Sequence, residues 1–118
     1  MKRLLLVFVA IAALAAATAA FAASNAATTA RLVRVTSPAR RNSYATLVAR
    51  VVPNRRCTIT VNYKSGPSEA QGLNPKRSVR GRVSWTWKVG GNTTLGRWPI
   101  EVNCGSAGSF LTHFRVIR

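Results

Sequence analysis

Acidic side chains are almost missing from this chain: there is no aspartate, and Glu69 and Glu101 are the only carboxylate side chains in 118 residues. A hydrolase that works with paired carboxylates needs two convergent acids. Glu69 falls in a loop pattern and Glu101 on the polar phase of a strand pattern, so nothing in the sequence brings them together. Histidine is limited to His113, and cysteine to Cys57 and Cys104. That donor set is too small for a tetrahedral zinc site. A Ser–His–acid triad would have to join His113 to one of the two glutamates, and no serine lies in a nucleophile-elbow pattern. The expectation is a non-enzyme with no catalytic residue, no metal, no cofactor and no small-molecule substrate. No nucleic-acid-binding motif is present either, so base-specific readout is not supported.

What is present is charge of the other sign. Lysine and arginine number 18, and the net charge is +16. Such a density of positive charge draws a protein to anionic polymers and speeds the encounter. Most of these residues are arginine, whose planar fork matches phosphate and carboxylate in bidentate fashion. An alanine- and arginine-rich composition is also what a GC-rich genome produces, but that does not account for the shortage of acids.

The first residues have the pattern of an export signal. Lys2 and Arg3 precede residues 4–17, which carry no polar side chain, and Ala20-Phe21-Ala22 supplies the small-x-small cleavage pattern. A signal peptide over 1–22 is expected, then a flexible lead-in over 23–30 and one domain over 31–118. The alternative is an uncleaved anchor, since residues 4–23 would just reach across a bilayer. With the leader removed no stable membrane span is left, and the expected location is secreted, extracellular or associated with the cell envelope. In an oxidising compartment two cysteines read as one disulfide, Cys57 to Cys104, with two free buried thiols as the alternative; a bridge would help a domain that buries only about 60–65% of its unfolded surface.

Strands are written in the alternation. Arg82-Val83-Ser84-Trp85-Thr86-Trp87-Lys88-Val89 places Val83, Trp85, Trp87 and Val89 on one face and polar residues on the other. Cys57, Ile59, Val61 and Tyr63 alternate in the same way with Thr58, Thr60, Asn62 and Lys64. Ala45, Leu47, Ala49 and Val51 share the inward face of a strand over 44–52, with Thr46, Val48 and Arg50 outward. Trp98, Ile100, Val102 and Cys104 share the inward face of another. The expected core is thus Ile59, Val61, Val83, Trp85, Trp87, Trp98, Ile100 and Val102. The competing use of Trp85, Trp87 and Trp98 is an exposed stacking platform for sugars or bases. Further strands are expected over 31–35 and 109–117, with a short edge strand over 76–80. Residues 69–75 read as a loop that has room for a turn of helix. Residues 90–97 read as a glycine-rich hairpin connection, and Pro99, lacking an amide donor, places its strand's start near an edge. Six or seven short strands separated by turn signals predict an all-β, antiparallel β-sandwich.

Three segments, C-T-I-T-V-N-Y-K-S-G-P-S, V-S-W-T-W-K-V-G and T-T-L-G-R-W-P-I-E-V-N-C, together resemble a bacterial extracellular immunoglobulin-like module. The likeness runs from about residue 38 to residue 114. It implies a small secreted sandwich with one disulfide and no catalytic machinery. The tryptophans lie well after the first cysteine's strand, so the antibody strand order is not to be assumed.

The basic residues group as Arg40/Arg41, Arg55/Arg56 and Lys76/Arg77/Arg80/Arg82, all in turns or at strand ends, where binding loops of a sandwich gather. The bland alternative is dispersed charge that only aids solubility. The leading expectation is a non-catalytic binding module for anionic polymers, whether envelope polysaccharide or nucleic acid held without sequence preference. An extracellular protein partner, met by an adhesin-type accessory pairing through an edge strand, is the second reading. A cationic membrane-active protein is the third; no amphipathic helix with a broad apolar face supports it.

Overall fold

The computed structural model describes residues 29–118; the leader expected over 1–22 and most of the lead-in lie outside the described residues. The chain is mostly β, in two sheets that share one core. In order, the strands are β1 (Arg31–Val35), β2 (Ala39–Arg40), β3 (Tyr44–Arg50), β4 (Arg56–Tyr63), β5 (Gly66–Pro67), β6 (Lys76–Arg77), β7 (Arg82–Lys88), β8 (Gly96–Asn103) and β9 (Ser109–Ile117). The first sheet has the order β1-β3-β7; the second runs β2-β9-β8-β4-β5, with β6 also pairing β4. Every pairing is antiparallel except β2 beside β9.

The inward phase of each long strand builds the core. Ala45, Leu47, Ala49, Val83, Trp85 and Trp87 from the first sheet meet Ile59, Val61, Ile100, Val102, Phe114 and Val116 from the second. Trp85 and Trp87 are fully buried, and truncating such a side chain costs about 3–5 kcal/mol. Each buried indole N–H finds an acceptor, as it must to avoid a desolvation penalty. Trp85 Nε1 donates to the Asn74 carbonyl at 2.8 Å, and Trp87 Nε1 reaches the Tyr63 hydroxyl at a long 3.4 Å. Trp87 also meets Phe114 edge-on, with ring centroids 5.7 Å apart, which ties one sheet to the other.

The disulfide Cys57–Cys104 forms, closing a sequence separation of 47. Thr58 pairs with Asn103 in the ladder, so the bridge lies one step further along the same two neighbouring strands. It staples the second sheet to itself and does not cross the core.

Several expectations need correction. Residues 90–97 are not a hairpin loop, because β7 and β8 belong to different sheets; a glycine-rich loop serves equally well to cross between layers. The strand holding Pro99 is interior, between β9 and β4, yet Pro99 lies one step beyond the β4–β8 ladder and is paired only with His113. Its missing donor therefore falls where that side of β8 has no ladder partner. Trp98 is only partly buried: it packs on the margin of the core and turns its Nε1 to the Thr94 carbonyl at 2.8 Å. Val48 faces outward as expected but is buried all the same. Residues 69–75 contain no helical turn.

β7 is an edge strand by topology, and residues 70–77 cover its free edge. Lys76 Nζ donates to the Ser84 carbonyl at 2.9 Å, and Gly72 is seated so close to Thr86 that a Cβ there would overlap the Thr86 carbonyl oxygen. An edge masked in this way offers no open row of backbone groups to another chain.

Candidate anion-binding face

The outer face of the β1-β3-β7 sheet follows from register. Arg31 pairs with Arg50, and Arg50 pairs with Arg82. Residues directly opposite in an antiparallel pair project to the same side with Cβ atoms about 4.5–5.5 Å apart. The three guanidinium groups therefore form one row across the sheet, all of them exposed. Arg34 joins them through a bulge. Leu32 pairs with Ala49 and Arg34 with Val48, leaving Val33 as the extra residue. Simple alternation would send Arg34 to the same side as Leu32; the bulge re-aims it outward. Further along the face, the Thr46 and Thr86 hydroxyls meet at 2.8 Å, and Tyr44 pairs with Lys88.

The outer face of the second sheet is different. Its cross-strand rows read Thr58–Asn103–Ser109 and Thr60–Glu101–Leu111, with the pair Arg97–Arg115 at one end. Arg56 and Arg77 project from the opposite end of this face, so the second sheet carries its positive charge at its two ends, whereas the first carries it in a cross-strand row. Like charges placed opposite one another repel, and with no carboxylate in the arginine row, relief has to come from solution ions or a bound polyanion.

Two of the three basic clusters expected from the sequence meet beside this row. Arg56 pairs with Arg77 across β4 and β6, and Arg77 Nη1 donates to the Asn54 carbonyl at 3.3 Å. The organising residue is Ser78, the one buried polar side chain among the described residues. Its hydroxyl donates to the Val52 carbonyl and accepts from the Arg55 amide. Its own amide donates to the Arg55 carbonyl, and its carbonyl accepts from Asn54. Arg80 takes a left-handed conformation, φ 54°, before Gly81, and the Gly81 carbonyl accepts from Val51. Arg55, Arg56, Lys76, Arg77, Arg80 and Arg82 therefore ring one end of the molecule, next to Arg31 and Arg50.

Arg40 and Arg41 do not join them. They precede β3, roughly 20 Å away by strand length, and they make local bonds. Arg40 Nη1 donates to the Arg118 carbonyl at 3.1 Å and Arg41 Nε to the Thr93 carbonyl at 2.8 Å. The end they occupy holds an open groove of 640 Å³ lined in part by Tyr63, Ser68, Glu69, Lys88 and Thr93. Burial pushes the Tyr63 phenol above its ordinary value of 10.0, and the hydrogen bond from Trp87 partly offsets the rise. Among the described residues no three metal-ligating side chains come together; Glu69 lines the groove, and Glu101 lies exposed between Thr60 and Leu111 on the second sheet.

No protein-family model matches this chain, and no curated protein is significantly similar to it.

Proposed function

We propose that this protein is an exported, non-catalytic, immunoglobulin-like module that holds anionic polymers. The polymer would be phosphate- or uronate-bearing envelope polysaccharide, or released nucleic acid bound without sequence preference. The observation that carries the reading is the continuous row Arg31–Arg50–Arg82. A flat face of guanidinium groups flanked by hydroxyls suits an extended polyanion, which it meets through charge and bidentate hydrogen bonds. The basic end around Arg55, Arg56, Arg77 and Arg80 extends the same field. On this reading the binding surface takes in a sheet face as well as loops.

The immunoglobulin-like part is supported by strand order. The opening segment is divided, β1 in one sheet and β2 in the other beside the last strand, and the remaining strands follow as β9-β8-β4-β5. The disulfide differs from the antibody arrangement, in which the bridge crosses between sheets. The edge-pairing alternative would have to use the β1 edge, because Lys76 and Gly72 cover the free edge of β7. The membrane-active alternative gains little as well, because the exposed large hydrophobics Val33, Tyr44, Val79 and Leu111 do not gather on one face.

The test compares R31Q/R50Q/R82Q with the control R97Q/R115Q on the opposite sheet. Binding to duplex DNA and to an acidic polysaccharide is titrated between about 50 and 200 mM salt. The triple variant should lower the slope of log affinity against log salt by about 2–3, as expected for three lost charge contacts. The control should lower it less per charge removed. An equal loss per removed charge in the two variants would mean that net charge acts without a face, and the reading would fall.

A further inference from the structure

The groove at the far end from the arginine row is chemically unlike that row. We propose that it is a second binding site, one that takes an uncharged saccharide segment. Tyr44 and Lys88 share the outer face of the β1-β3-β7 sheet with the arginine row but lie at its other end, and the inference uses none of the row's arginines.

Size comes first. The groove of 640 Å³ adjoins two hollows of 370 and 380 Å³, and all three share Gly90. Spaces of this order hold a ligand of drug size, about that of a disaccharide. Composition comes second. The chain carries 18 basic residues, yet Lys88 is the one cation lining these hollows, and it is matched there by Glu69. The remaining polar contributors are hydroxyl and amide groups, among them Ser65, Ser68, Gln71 and Thr93. An anionic polymer would meet a repelling carboxylate at Glu69. A neutral sugar would instead donate its hydroxyl protons to that carboxylate, which only accepts hydrogen bonds.

Two tyrosines supply the rest. Tyr44 stands at the mouth with 66% of its surface exposed, and an aromatic face beside polar groups suits the C–H face of a pyranose ring. The Tyr63 hydroxyl accepts from Trp87 Nε1 and keeps its own proton to donate into the groove. The wall opposite is held in place before any ligand arrives. Arg41 Nε binds the Thr93 carbonyl, Trp98 Nε1 binds the Thr94 carbonyl, and Asn42 packs against Gly91. A wall already ordered spares the ligand the entropic cost of ordering it. These bonds also give Arg41 and Trp98 a role as braces of the groove.

The experiment titrates the full chain with two neutral tetrasaccharides, one of glucose and one of N-acetylglucosamine, following backbone amide resonances. Saturable shifts are expected at residues 65–71 and 90–94 with at least one probe. Y44A should weaken binding about tenfold while Y44F retains it, as expected for loss of a stacked ring. E69Q should also weaken it, and R31Q/R50Q/R82Q should leave it unchanged. Failure of both probes to saturate would overturn the proposal, as would equal affinity in Y44A. Loss of binding in the arginine variant would assign the saccharide to the other face. A negatively charged ligand that binds E69Q more tightly than the native chain would make the groove part of the anion surface and overturn the assignment.

Discussion

The Ser78 hydroxyl donates to the carbonyl of Val52, joining the segment after β3 to the segment before β7. With the Arg55 amide as a second partner at 2.9 Å, one small side chain brings two clusters of arginines to the same end of the molecule. Ser78→Ala leaves the partly buried Val52 carbonyl and Arg55 amide without their partner, a loss of about 1–2 kcal/mol. The expected outcome is a Tm lowered by several degrees and weaker polyanion binding, with Ser78→Thr retaining more of both. A Ser78→Ala protein that melts with the native one would show that the staple is not needed.

The disulfide predicts a larger effect. Its loop of 47 residues removes enough unfolded-chain entropy to contribute about 4 kcal/mol in the chain-entropy model. Replacing Cys57 or Cys104 by serine, or reducing the native protein, should lower the Tm by well over ten degrees for a domain of this size. Matching melts with and without reductant would contradict the bridge.

Gly72 offers a test of the masked edge. It sits at φ +96° against the Thr86 carbonyl, so alanine would force residues 70–77 away from β7. Gly72→Ala is expected to destabilise the fold by about 1–3 kcal/mol and to increase self-association, because an uncovered edge strand recruits others. Light scattering and a denaturant melt read the two effects separately. An alanine variant that is as stable and as monomeric as the native protein would refute the masking role.

The Tyr63 phenol predicts a pH dependence. Its folded pKa is raised above 10.0 by burial, so the folded state holds the proton more tightly than the unfolded state. The associated stability is fully present below about pH 10 and is lost as the pH rises through the folded pKa. Ultraviolet titration should show one phenol ionising late, and Tyr63→Phe should remove it. If the Phe variant keeps the late transition, the assignment fails.

Alternation made β3, β4, β7 and β9 legible because each buries one face and wets the other, and their observed bounds fall within two residues of the expected ones. Pairing was less legible. A loop such as 90–97 has the same glycines whether it closes a hairpin or crosses between sheets, and the sequence does not distinguish them. The two-residue strand β2 is too short to show a period. The arginine row was illegible for the same reason: Arg31, Arg50 and Arg82 are far apart in sequence, and only register aligns them. Arg55, Arg56 and Arg77 were visible as clusters, while Ser78, which unites them, looked like any loop serine. Arg40 and Arg41 show the converse, adjacent in sequence to a basic turn yet bonded to backbone carbonyls at the other end.

The short strand β2 lies parallel to β9, with Ala39 opposite Val116 and Arg40 opposite Ile117. Beside it, the Arg41 amide donates to the Ile117 carbonyl and the Arg115 amide to Ser37 Oγ. Tension applied between residue 30 and residue 118 would pull these two segments past each other lengthwise. Once the β1–β3 ladder is passed, the bonds between them would carry that load together instead of opening one after another.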